Sequence, residues 1–223
     1  MPFFKCDLGL VYFFHVPKCG GTSIEVELIN KGFRLSFYDP GFSSEVNKFC
    51  KSSPQHITQK DFKNLFAEDM FFYKFALVRD PVTRLLSAYA FNRDKIGGFV
   101  SFEALVSKLE KNINKENDYF GTKYDNHFVP ANRFIPEDSD IFYLEKDMRI
   151  LELKLHEKLN VELDLSKQHN KARYKVRKIR KPKDIVDKFL LPHSPKINEL
   201  SEEMIERIKL LYSEDYQRFN FER

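Results

Sequence analysis

The sequence predicts a three-layer α/β/α fold around a central, mostly parallel sheet, and three observations carry the prediction. Residues 10–14 (LVYFF), 71–78 (FFYKFALV) and 140–144 (DIFYL) are apolar runs of strand length, continuous enough for strands covered on both faces. Each precedes a helical pattern, with apolar residues at Ile24, Leu28 and Ile29, at Val82, Leu85, Leu86 and Tyr89, and at Met148, Leu151, Leu155 and Leu159. Strands alternating with helices make parallel sheets. At 223 residues, 42% apolar and 31% charged, the chain suits a single globular domain over residues 1–223.

The first strand ends at His15, Val16 and Pro17, and Gly20 and Gly21 allow a tight turn into the helix. Thr22 followed by Glu25 has the spacing of a capping box. A loop feeding a helix N-terminus aims unpaired amides and a partial positive charge at one point, and Lys18 adds a full charge there. The stretch is a P-loop-like anion cradle without the Walker order, in which the lysine follows the glycines. Residues 33–38 alternate well enough for a short strand, closed by the turn signal Asp39-Pro40-Gly41. His56 stands just ahead of a helix over residues 60–68, with apolar positions at Phe62, Leu65 and Phe66.

Arg79-Asp80-Pro81 ends the second strand, Asp80 suiting an N-cap and Pro81 the first helical position. Arg79 is thereby placed at the carboxyl edge of the sheet, where open α/β sheets bind ligands. Residues 95–133 read as a substrate-side insertion with a helix at about 102–111 and a polar, aromatic-rich loop. Tyr119, Phe120, Tyr124, His127 and Phe128 in that loop suit either a sugar site or packing. The most basic stretch follows the third strand and helix: Lys167, Lys171, Arg173, Lys175, Arg177, Lys178, Arg180, Lys181 and Lys183, with no acid among them. A last helix over residues 202–212 buries Met204, Ile205, Ile208 and Leu211.

Cys6, Cys19 and Cys50 are an odd number without CxxC spacing, which predicts neither a disulfide framework nor a zinc site and favours a reducing compartment. No run of 18 apolar residues occurs, so no transmembrane segment is expected. Net charge is a modest +4, and no known module pattern accompanies the basic stretch. No nucleic-acid partner is expected.

HVPKCGGTS at 15–23 and FALVRDPVTRLLSAY at 75–89 resemble two motifs of the carbohydrate (family 2) sulfotransferases, which use 3'-phosphoadenosine 5'-phosphosulfate (PAPS). These are the 5'-phosphosulfate loop and the 3'-phosphate-binding strand and helix. A histidine between the motifs, as His56 stands here, and a closing Tyr-x-x-Asp-Tyr pattern, as in Tyr212, Asp215 and Tyr216, are similar to the same family. The resemblance implies the family's fold, PAPS as co-substrate without a metal, and transfer to a hydroxyl of a carbohydrate, glycan or glycolipid. It implies that backbone amides around Cys19, Gly20, Gly21 and Thr22, with the Thr22 and Ser23 hydroxyls, hold the 5'-phosphosulfate. Arg79 and Ser87 would bind the 3'-phosphate, with Lys171 and Arg173 as further donor contacts. Lys18 would stabilise the leaving oxygen and His56 act as base. His127, with Tyr124, is the other candidate for base or substrate binding; where related enzymes follow such a histidine with Pro-Gln, this chain has Pro130-Ala131. Golgi members usually carry a membrane anchor, so the expectation is a bacterial cytoplasmic enzyme or else a trimmed Golgi lumenal domain.

Plainer readings stand beside these. Lys18 could be a solvated loop charge, Thr22 and Ser23 helix caps, Arg79 and Arg84 ion-pair partners of neighbouring acids, and His15 a packed structural residue. A P-loop kinase or nucleotide-binding protein would share the strand, loop and helix, but would place its lysine after the glycines and an acid for Mg²⁺ on a second strand.

Overall fold

The computed structural model describes residues 2–47, 50–97, 99–116, 119–165 and 194–221. Four strands form one sheet in the order β1-β2-β3-β4. β1 (Phe3–Cys6) runs antiparallel to β2 (Gly9–Phe14), whereas β2, β3 (Tyr73–Val78) and β4 (Asp140–Tyr143) are parallel. The strands expected at 10–14, 71–78 and 140–144 are all present. β1 is an addition, an edge strand of four residues, too short to stand out in the sequence.

Seven α-helices lie among the described residues: α1 (Gly21–Asn30), α2 (Gln59–Leu65), α3 (Pro81–Ile96), α4 (Phe102–Glu116), α5 (Met148–Leu159), α6 (Glu202–Leu211) and α7 (Ser213–Phe219). Alternation along the strands divides the core between two faces. Val11, Phe13, Phe75 and Leu77 meet Ile24 and Leu28 of α1 and Leu151, Leu155 and Leu159 of α5. Tyr12, Phe14, Ala76 and Val78 face the other way, into a larger cluster closed by α2, α3, α4 and α6. The result is the three-layer α/β/α arrangement around a mostly parallel sheet that the sequence predicts.

Two local expectations are corrected. Residues 33–38 form no strand; a single bridge joins Phe3 to Ser36, and Phe37 at φ 55° turns the backbone out of extended geometry. Glu25 does not close a capping box with Thr22, because α1 begins at Gly21 without a side-chain cap and the Glu25 carboxylate is taken by His15. The segment 95–133 carries the expected helix, α4, and its Phe102, Leu105, Val106, Leu109, Tyr119, Tyr124 and Phe128 belong to the larger core cluster. Arg207 of α6 fastens α4 by donating to both carboxylate oxygens of Glu110 at 2.9 and 2.8 Å.

Candidate active site

Because β2, β3 and β4 are parallel and in register, the loops after Phe14, Val78 and Tyr143 leave the sheet side by side at its carboxyl edge. The first loop turns sharply. Lys18 (φ 68°) and Gly20 (φ 83°) are both left-handed. A Cβ on Gly20 would come within 2.9 Å of Leu144 Cδ1, and one on Gly21 within 2.6 Å of the His15 ring. The glycines therefore serve close packing beneath the loop as well as its turn. Among the described residues, no bond outside the helix ladder engages the Gly20, Gly21 and Thr22 amides at the start of α1, whereas Cys19 N–H donates to the Val16 carbonyl at 3.3 Å and Ser23 N–H to the Gly20 carbonyl at 3.0 Å. Thr22 is exposed and Ser23 buried. Cys19 thus shapes the cradle instead of lining it, and burial pushes its thiol up to about 12.

The Lys18 ammonium lies 4.0 Å from the ring centre of Phe91 on α3, a cation–π contact. Burial, then the charge of nearby Arg79, pulls the ammonium down to about 8. Arg79 in turn donates from Nε to Glu145 at 3.2 Å, on the neighbouring β4 loop. Ser87 is half-buried on α3, one helical turn before Phe91.

Three histidines line up beside the cradle. His15 is bonded through Nδ1 to Glu25 of α1, its ring centre is 5.0 Å from that of His56, and His56 is 5.0 Å from His127. His56 ends a one-turn 3₁₀ helix, Pro54–His56. Its Nδ1 meets Asp125 Oδ2 at 2.7 Å, and Asp125 also accepts from Ser53 N–H (2.6 Å) and Ser53 Oγ (2.9 Å). Burial opposes ionisation of Asp125, but the His56 hydrogen bond and charge outweigh it and hold the carboxyl well below its usual range. A carboxylate only accepts, so His56 carries its proton on Nδ1 and keeps a lone pair on Nε2. Burial lowers His56 as a base, with Asp125 partly opposing it.

His127 is buried and meets Asn92 at 2.8 Å through Nδ1. Phe91, 55% exposed, lies between His127 and Lys18. The C-terminal tyrosines and aspartate tie these parts together. Tyr216 OH donates to Asp80 at 3.0 Å at the head of α3, Tyr212 OH to the Phe128 carbonyl at 2.8 Å, and Asp215 accepts from the Ala131 and Asn132 amides at 2.9 and 2.8 Å. Arg84, 1% exposed, sits 3.7 Å from Asp215 and over the Tyr212 ring. Its guanidinium makes no hydrogen bond among the described residues.

Lys18, Arg79, His56 and His127 therefore meet on one sheet edge. Tyr124 does not present a face to a ligand there: it packs on Phe120 and Phe128 in the core. Lys171 and Arg173, with the basic stretch around them, lie outside the described residues. Sequence reasoning missed Asp125, Asn92, Phe91 and Glu145. Asp125 is 69 residues from His56, and its only local signal is its place two residues before His127. His56, Asp125 and His127 also bring one metal-ligand type atom each within 4.8 Å of one another, a cluster the sequence did not suggest. Both Asp125 oxygens and both Nδ1 atoms already have partners within it or beside it, the arrangement of a hydrogen-bonded dyad more than of a closed metal cage.

No helix among the described residues is long and apolar enough to cross a membrane. Neither curated proteins nor solved structures returned a match to the chain. A family model described as the sulfotransferase family matches residues 2–222, a span that includes the cradle, the Arg79 strand end and the histidine cluster. The chain belongs to the sulfotransferase family.

Proposed function

We propose that the protein transfers the sulfuryl group of PAPS to a carbohydrate hydroxyl, with His56 as general base. The observation that carries this reading is the convergence of an amide-lined cradle, Lys18 and an Asp125-oriented His56 at the carboxyl edge of one parallel sheet. The Gly20, Gly21 and Thr22 amides, with the Thr22 and Ser23 hydroxyls, fit the 5'-phosphosulfate. Arg79, a planar fork of donors, and Ser87 would take the 3'-phosphate, with Arg79 exchanging Glu145 for it.

His56 Nε2 would accept the acceptor proton as that oxygen bonds to sulfur. The sulfur–oxygen bond to the 5'-phosphate breaks, and the Lys18 ammonium meets the charge growing on the released oxygen. General-base help is worth about 10²–10⁴ in rate and a preorganised electrostatic donor about 10²–10³. The acceptor-side wall is Phe91, an exposed aromatic beside both Lys18 and His127. A single domain over residues 1–223 and a carbohydrate acceptor belong to the same reading.

The test is thermal unfolding with 3'-phosphoadenosine 5'-phosphate (PAP), ATP or AMP in EDTA. Ligand at about 100 times its Kd adds roughly 2.7 kcal/mol, a shift of about 5–10 °C for a chain of this size. A shift with PAP alone, lost in Arg79→Ala or Lys18→Ala, supports the reading. No shift, or one requiring Mg²⁺ and ATP, overturns it in favour of a kinase-like donor site.

A further inference from the structure

We infer that His127 is a hydrogen-bond donor and no second base, and that with His56 it forms a two-point clamp selecting a neutral hydroxyl as acceptor. The clamp presupposes the sulfotransferase reading above; the proton positions do not. Asn92 Nδ2 has two hydrogens. One goes to the Ala88 carbonyl at 2.8 Å, which can only accept, and so fixes which end of the amide is nitrogen. The other goes to His127 Nδ1 at 2.8 Å, which must therefore present a lone pair. A neutral His127 then carries its proton on Nε2, the reverse of His56, whose Nδ1–H is spoken for by Asp125. Burial, and next the charge of His56, hold His127 far below the ordinary histidine range, which keeps it neutral.

The His56 and His127 ring centres lie 5.0 Å apart with the rings inclined at 68°. An oxygen at about 2.8 Å from two nitrogens can bridge roughly 5.6 Å, and the clamp takes one hydroxyl between the two Nε2 atoms, both Nδ1 atoms being already engaged. Its proton points to His56 Nε2, one lone pair accepts from His127 Nε2–H, and the remaining lone pair is left for sulfur. An ammonium group has no lone pair to accept with, and Lys18 stands beside the same wall to repel it. The pair thus selects hydroxyls over protonated amines.

The experiment labels the whole protein with ¹⁵N-histidine and assigns both tautomers by long-range nitrogen–proton correlation. The expected result is Nε2–H in His127 and Nδ1–H in His56. Asn92→Asp offers an acceptor to Nδ1 and moves the His127 proton there. The same proteins are assayed for PAP release from PAPS, with water and with dextran as acceptors, and for sulfation of dextran against chitosan amines at pH 6. Asn92→Asp and His127→Ala each lose at least tenfold in transfer to hydroxyls, PAP binding is unchanged, and His127→Gln, whose amide N–H reaches the place of Nε2, recovers a large part. A proton on Nδ1 of wild-type His127 overturns the clamp. So does Asn92→Asp at the wild-type rate, or preferential sulfation of chitosan amines. Failure of the wild-type protein to bind PAP instead sinks the sulfotransferase reading, and the tautomer spectrum still decides the histidine assignment.

Discussion

Asp125→Asn changes one atom and reverses the proton on His56. The Ser53 amide, a fixed donor 2.6 Å from Oδ1, holds the asparagine oxygen on that side. The new Nδ2 then occupies the place of Oδ2, 2.7 Å from His56 Nδ1, and donates there. His56 Nδ1 becomes the acceptor, its proton moves to Nε2, and the lone pair that would take the acceptor proton is lost. The expected fall in kcat is about 10²–10⁴, or roughly 2.7–5.5 kcal/mol in the barrier. PAP binding stays unchanged, since Asp125 does not touch the cradle. Loss of a charge-assisted hydrogen bond costs about 1.5–3 kcal/mol of stability, roughly 3–12 °C for a chain of this length. The assay is transfer of ³⁵S from labelled PAPS beside calorimetric PAP binding, at a temperature where the variant is folded. A kcat within threefold of wild type, with an unchanged acid limb, would refute the tautomer argument.

The rate against pH should be bell-shaped. His56 is lowered by burial, so kcat/KM falls only below about pH 6.5, while Lys18 at about 8 makes donor affinity fall above that pH; Lys18→Arg moves the basic limb upward. Stability follows the same histidines. Their folded values lie below the unfolded one, so stability is full above about pH 6.5 and declines as pH falls, because the unfolded chain takes up protons first; denaturant midpoints between pH 5 and 8 check this. Gly21→Ala forces a Cβ to within 2.6 Å of the buried His15 ring and should cost about 1–3 kcal/mol with loss of activity, read from denaturant unfolding and PAP release. Arg84→Met strands Asp215, whose carboxyl burial already raises. It should cost about 3–5 kcal/mol, much of it recovered by adding Asp215→Asn, a double-mutant cycle read by the same unfolding curves.

The sheet was legible because runs such as residues 71–78 leave no other home for so much apolar surface, and the helix starts at Asp80-Pro81 follow from local chemistry. The cradle was legible for the same reason, its glycines and Lys18 being neighbours in the chain. The proposed base was only half legible. His56 was visible as a histidine between two motifs, but the partner that orients it arrives from a loop 69 residues away. Asn92, which fixes the proton on His127, looks in sequence like an ordinary polar residue on a helix. The aromatic loop was ambiguous because Tyr124 and Phe128 have the same composition whether they face a sugar or the core. Burial decided it.

The bonds from α7 carry a kinetic consequence. Tyr216 reaches back 136 residues to Asp80, and Asp215 reaches 84 and 83 residues back to Ala131 and Asn132. Contacts that span so much chain form late, since the loops they close must lose their freedom before any contact rewards them. During synthesis, the sheet and the cradle can order early and Asn92 can already join α3 to the His127 loop, but the ties from Asp215 and Tyr216 close only after residue 216 has emerged. Activity should therefore arise in one step near completion of the fold, and a ribosome-bound chain stalled before that residue should carry a sheet without a working enzyme.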